Sequence, residues 1–160
     1  MAYLISITSG KQFKGILAPL LSDSLVSNKL HDLDKGVSLT EMVEVTNKHS
    51  RQLEVEVVLI DWEKEPKVDP PFIIGVKQLP SVSNLEADQL QSVESAKQDG
   101  SLVEQDQVWQ YPGGHAITIV KSAKDEVEYF DSYLGKEVAI SRSLFLEGLH
   151  DNGRLIKVKQ

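Results

Sequence analysis

His115 and Asp131 are the residues whose types and spacing best suit chemistry. A carboxylate bonded to one ring nitrogen of a histidine fixes its tautomer. The other nitrogen is then free to take a proton from a nucleophile. Two strands read out around these residues, His115 to Lys121 and Asp125 to Asp131, joined by Ser122-Ala123-Lys124. Counting outward from that short turn, Lys121 faces Asp125 and His115 faces Asp131 directly. Residues opposed in this way have Cβ atoms about 5 Å apart, within reach of a hydrogen bond. Ile117, Ile119, Val127 and Tyr129 share the face and would anchor it on a core. Pro112-Gly113-Gly114 leads into His115 and leaves room for another segment to approach. A purely structural cross-strand hydrogen bond would use the same two residues, and a one-residue slip would undo the pairing.

The elements that must position this pair follow from periodicity and caps. Tyr3 to Thr8 reads as a strand, and Ile16 to Leu30 as a helix that Pro19 can enter only in its first turn. Ser38-Leu39-Thr40-Glu41 is a capping box opening a helix from Leu39 to about His49. Leu53 to Ile60 alternates Glu54 and Glu56 with Val55 and Val57, a strand pattern. Phe72 to Val76 reads as a buried strand. Ser83 to Glu86 forms a second capping-box pattern, with a helix over Glu86 to Lys97 and a turn at Asp99-Gly100. Sparse apolar positions mark 79–111 as a solvated insertion. Ser141 to Leu149 reads as a short helix and Arg154 to Lys159 as a closing strand. Helices followed by mostly antiparallel strands define an α+β class in a single domain over 1–160.

Composition narrows the function classes. The chain has 160 residues, 41% hydrophobic and 26% charged, which suits one globular domain. Its net charge of −7 and scattered lysines disfavour nucleic acid and anionic membrane as partners. No apolar run approaches a membrane span, and the start lacks the pattern of a signal peptide. A soluble chain, cytoplasmic or delivered as an effector, is the expectation. There is no cysteine, so disulfides, thiolate metal sites and a cysteine nucleophile are excluded as the chain stands. His31, His49 and His150 read as surface residues. No histidine pair has zinc spacing, and Asp61, Glu63, Glu65 and Asp69 lack calcium-loop spacing, so neither cofactor nor metal is expected. Trp62 and Trp109 line a cleft or pack at its edge.

Gly114-His115-Ala116-Ile117-Thr118-Ile119-Val120 and Glu128-Tyr129-Phe130-Asp131-Ser132-Tyr133-Leu134-Gly135 resemble the His and Asn/Asp strands of the papain-like cysteine peptidase superfamily. Papain carries Asn-Ser-Trp-Gly where this chain has Asp131-Ser132-Tyr133-Leu134-Gly135, one residue longer. The peptidase domains of bacteriocin exporters and the cysteine peptidase effectors of bacterial pathogens have an Asp, a short turn ending in Gly, then a short helix with a Phe. Gly135 to Phe145 is similar. Gly36-Val37-Ser38-Leu39, Leu53 to Leu59 and Pro71 to Gly75 resemble further exporter-type segments. The resemblance implies a papain-like fold, N-terminal helices packed on a C-terminal antiparallel sheet. It also implies hydrolase chemistry on a protein or peptide, as a peptidase or a protein glutamine deamidase.

The superfamily's nucleophile lies at the start of the first long helix, where the helix dipole favours a thiolate. Three placements compete here. Ser9-Gly10 resembles the exporter Cys-Gly, and a Ser9 hydroxyl would be a weak nucleophile or mark a Cys→Ser replacement. Lys14 to Ala18 resembles the effector Gly-Ile-Cys-Ala element, which puts Leu17 at the cysteine and makes the chain a natural pseudoenzyme. Counting from Gln12 as the oxyanion-hole amide puts Ala18 there, as a Cys→Ala replacement. Gln12 and Pro19 both find a role in the Ala18 placement, although Gln12 also suits a solvated loop. The implied alternative to an enzyme is a non-catalytic papain-like module that holds a partner peptide.

Overall fold

Alternation and helical spacing in the sequence become ten elements among the described residues. The computed structural model describes residues 38–49, 54–60, 69–150 and 154–159. Their elements are α1 (Leu39–His49), β1 (Val55–Leu59), β2 (Phe72–Pro80), α2 (Ala87–Gln98), β3 (Val103–Gln105), β4 (Val108–Ser122), β5 (Glu126–Asp131), β6 (Lys136–Ser141), α3 (Arg142–Gly148) and β7 (Arg154–Val158). The described residues thus form an α+β structure of three helices and one seven-stranded antiparallel sheet. The strand order is β1-β7-β2-β4-β5-β6, with β3 on β4 beside this path.

The local reasons are legible. Leu39, Met42, Val43 and Thr46 recur at one-face helical spacing, and this face of α1 lies against Val55, Ile73 and Ile156. The Ser38 box forms: the Ser38 amide donates to Glu41 Oε2 at 2.8 Å, and the Glu41 amide to Ser38 Oγ at 3.3 Å. Asn47 then pairs with the backbone of Val55 in both directions, at 2.8 and 3.0 Å, tying α1 to β1. Phe72, Ile73 and Ile74 are all buried because β2 is covered on both faces. The opposite face carries Phe72, Ile74, Val76, Ile117, Ile119, Val127, Tyr129 and Leu155. There Val93 and Ala96 of α2 and Phe145 of α3 complete the main core.

Several expectations are corrected. The 79–111 segment is not solvated along its inner side: Leu79, Val93, Ala96, Leu102, Trp109 and Tyr111 are all buried. The apolar side chains of α2 are few, but they fall on one face, three residues apart. The α2 cap lies three residues later than expected, where the Glu86 amide donates to Gln89 Oε1 at 3.1 Å. β2 runs on to Pro80 past a register shift between Val76 and Gln78. The stretch between Asp131 and the last helix holds the unexpected strand β6, in which Val138 and Ile140 alternate with exposed Glu137 and Ala139. The N-terminal strand and helix, and with them Ser9, Gln12, Leu17 and Ala18, lie outside the described residues, as does Trp62.

Candidate active site

β4 is long enough to serve two neighbours on one flank. Its first part pairs with β3 as far as Gln110, and its second part pairs with β5 from Thr118. Tyr111 to Ile117 lies between these pairings. On the other flank β2 also breaks register, passing from Val76↔His115 to Gln78↔Gln110. The four residues Tyr111 to Gly114 therefore bulge opposite Lys77 alone. Gly114 takes φ +77°, and a Cβ there would meet His150 Cδ2 at 3.4 Å. The left-handed conformation calls for glycine immediately before His115, while the space alone would admit a Cβ.

The expected register is off by two residues up to Ile119 and by three beyond the bulge at Val120. Thr118 pairs with Phe130 and Ile119 with Tyr129; after a bulge at Val120, Lys121 pairs with Glu128. Extending the Thr118↔Phe130 register puts Asp131 level with Ile117, so His115 is its diagonal neighbour rather than its direct partner. The even-numbered slip on the His115 side of the bulge keeps His115 and Asp131 on one face, and a histidine is long enough to span the diagonal. His115 Nε2 lies 3.3 Å from Asp131 Oδ1. The His115 side chain is 7% exposed and the Asp131 carboxyl is fully buried.

Asp131 is held as firmly as the imidazole it faces. Its Oδ1 also accepts from the Tyr133 amide at 2.8 Å. Its carbonyl accepts from the Gly135 amide at 2.8 Å, closing the turn 132–135. A carboxylate can only accept, so its contact with Nε2 places an imidazole proton there, and in the neutral ring Nδ1 is then the nitrogen with a lone pair. The rings of Tyr111 and Tyr133 lie at 4.6 and 4.7 Å from the imidazole and stack on it at 25° and 4°. These flat neighbours restrict ring rotation and exclude water from the His115–Asp131 contact.

Burial pushes the Tyr111 and Tyr129 phenols well above the ordinary tyrosine range, and the Asp131 charge adds to the push. Both side chains therefore stay neutral beside the carboxylate. The hydroxyls of Tyr111 and Tyr129 and Asp131 Oδ2 are buried with no hydrogen-bond partner among the described residues. Unsatisfied buried groups cost free energy, and such costs gather at functional sites.

His115 also borders a cleft of about 720 Å³ that lies with Ala116 and Gly75 on the α1 face of the sheet, opposite the face that carries its contact with Asp131. Gly75, Gly113, Gly114 and Ala116 give it a floor with little side-chain bulk, the start of α1 and Val57 and Leu59 give an apolar wall, and His150 and Arg154 add basic groups. His150, expected as a surface residue, is exposed and belongs to this wall. His49 is exposed at the end of α1, and Trp109 packs in the core. Sequence reasoning gave no site role to Tyr111, Tyr129, Tyr133 or His150. The signal for two of them was available: Tyr129 and Tyr133 flank Asp131 at two residues on either side.

Among the described residues no group of three or more His, Asp or Glu side chains is placed to hold a metal ion. No described helix is long and apolar enough to cross a membrane. No family model, curated protein or solved structure matches the chain.

Proposed function

We propose that this chain is a papain-like domain in which His115 is the general base and Asp131 its orienting carboxylate. The site is of the acyl-transfer type used by cysteine peptidases and protein glutamine deamidases, with the nucleophile position replaced. The observation that carries this reading is the 3.3 Å contact between His115 Nε2 and the fully buried Asp131 Oδ1. It leaves Nδ1 as the proton acceptor. Both chemistries need the same thiolate, imidazole and oxyanion donors.

The test restores the missing group. Cysteine is introduced at Ala18, Leu17 and Ser9 in turn, and each variant is treated with a thiol-reactive peptide analogue. One variant labels rapidly, and adding His115→Ala slows that labelling by roughly 100-fold or more, the usual size of a general-base contribution. No His115-dependent labelling at any of the three positions sinks the enzyme reading.

The absence of cysteine from the whole chain favours a second reading, a non-catalytic module whose cleft holds a partner peptide. In that case no cysteine variant labels, and the parent chain retains members of an immobilised peptide library. Ala116→Arg, which fills the cleft, abolishes retention.

A further inference from the structure

Gln89 is a polar residue in an apolar setting. It is 8% exposed and sits in the first turn of α2. Its oxygen accepts from the Glu86 amide at 3.1 Å and from Lys136 Nζ at 3.1 Å. Its side-chain nitrogen donates to the carbonyl of Leu134 at 3.0 Å, in the turn that follows Asp131. Helix capping uses only the oxygen. The nitrogen makes a separate, buried connection across 45 residues of sequence. Losing it would strand a buried carbonyl, which makes the link more than incidental.

That connection ends on the segment that positions the imidazole. The turn 132–135 supplies the Tyr133 amide to Asp131 Oδ1 and lays the Tyr133 ring against His115. Beyond α2, a second tie holds the same ring. The Tyr133 hydroxyl donates to Ser101 Oγ at 3.2 Å, while Ser101 Oγ donates to the Ala96 carbonyl at 3.2 Å. The turn is thus fastened at its peptide by the start of α2 and at its side chain by the loop after α2.

We propose that Gln89 is a positioning residue for His115. It acts through the Leu134 carbonyl, which fixes the turn, which fixes Tyr133 against the imidazole and on Asp131. Ser101 is its partner in the same task. The catalytic consequence rests on the acyl-transfer reading above; the geometry itself is read from His115 directly.

The experiment uses the whole chain and the ring-proton resonances of His115, assigned by comparison with His115→Gln. Gln89→Glu keeps the oxygen for Glu86 and Lys136 but replaces the donor to Leu134 with a second acceptor. Ser101→Ala removes only the hydroxyl that holds Tyr133. In both folded variants the His115 resonances move from their stacked positions towards those in Tyr133→Ala, further in Gln89→Glu. Gln89→Met does the same and also lowers the urea midpoint, because it loses the cap. His115 resonances that stay in place in Gln89→Glu and Ser101→Ala overturn the proposal, whatever the change in stability. Moved resonances in a chain whose cysteine variants never label keep the positioning role and remove the acyl-transfer reading. His115-dependent labelling with unmoved resonances does the reverse.

Discussion

At the scale of single residues, Asp131 shows how much one buried carboxylate is asked to do. It accepts from His115 and from the Tyr133 amide while its second oxygen has no partner among the described residues. Asp131→Ala strands two buried donors and loses about 2 kcal/mol, whereas Asp131→Asn keeps an acceptor and stays within about 1 kcal/mol of the parent. Urea denaturation separates the two. The neighbouring phenols make a pH prediction. Their folded-state pKa values lie above the ordinary value of 10.0, so the neutral form belongs to the folded protein. The stability this confers is fully present below pH 10 and falls as pH climbs above it, because the unfolded chain then releases protons that the folded chain retains. Tyrosinate absorbance at high pH reports it: Tyr111 and Tyr129 ionise only as the circular dichroism signal of folding disappears. Early ionisation of both in the folded protein would contradict their burial. The His115–Asp131 pair was legible in the sequence because face parity survives a two-residue slip. The tyrosine cluster around it was not, since stacking depends on where the bulge and the turn place each ring.

At the scale of elements, caps and bulges decide more than propensity does. The Ser38 box was readable from four residues, and Ser38→Ala is expected to cost about 1 kcal/mol in a urea titration. The bulge at Tyr111–Gly114 was not readable, because two adjacent glycines do not say which of them takes a left-handed conformation. The structure distinguishes them. Gly114 has φ +77°, whereas Gly113 lies outside the left-handed region and a Cβ on it would meet nothing within 4 Å. Gly114→Ala therefore destabilises by about 1–2 kcal/mol and Gly113→Ala is close to neutral, again by denaturation midpoints. Equal effects would place the strain elsewhere. The solvated reading of 79–111 failed for a related reason. Counting apolar residues along α2 misses that Val93 and Ala96 share one face and that Gln89 takes a buried place by bonding Leu134. β6 was missed because its alternation is short and half-buried, where strand and loop patterns overlap.

At the scale of the whole molecule, the sheet joins distant parts of the chain. β7 lies between β1 and β2, so the last described strand fills an interior place next to the edge strand β1. The α+β class could be read from the order of elements, but this insertion could not, since nothing local in Arg154 to Val158 names its neighbours. Ile156, fully buried in β7, packs with Val55 and Ile73 across that junction. Ile156→Ala is expected to lose about 3 kcal/mol and to weaken both pairings together, in a single cooperative transition. Two separated transitions would show that β1 and α1 fold apart from the rest.

The position of β7 also sets a schedule for synthesis. β2 is complete at Pro80 and β7 begins at Arg154. At ribosomal speeds that interval takes roughly 4–15 s. Throughout it, β1 and β2 have emerged with the place between them empty, and the apolar edge of Phe72-Ile73-Ile74 is open to any other strand. A nascent chain of this design must be shielded, or must wait unpaired, until β7 arrives.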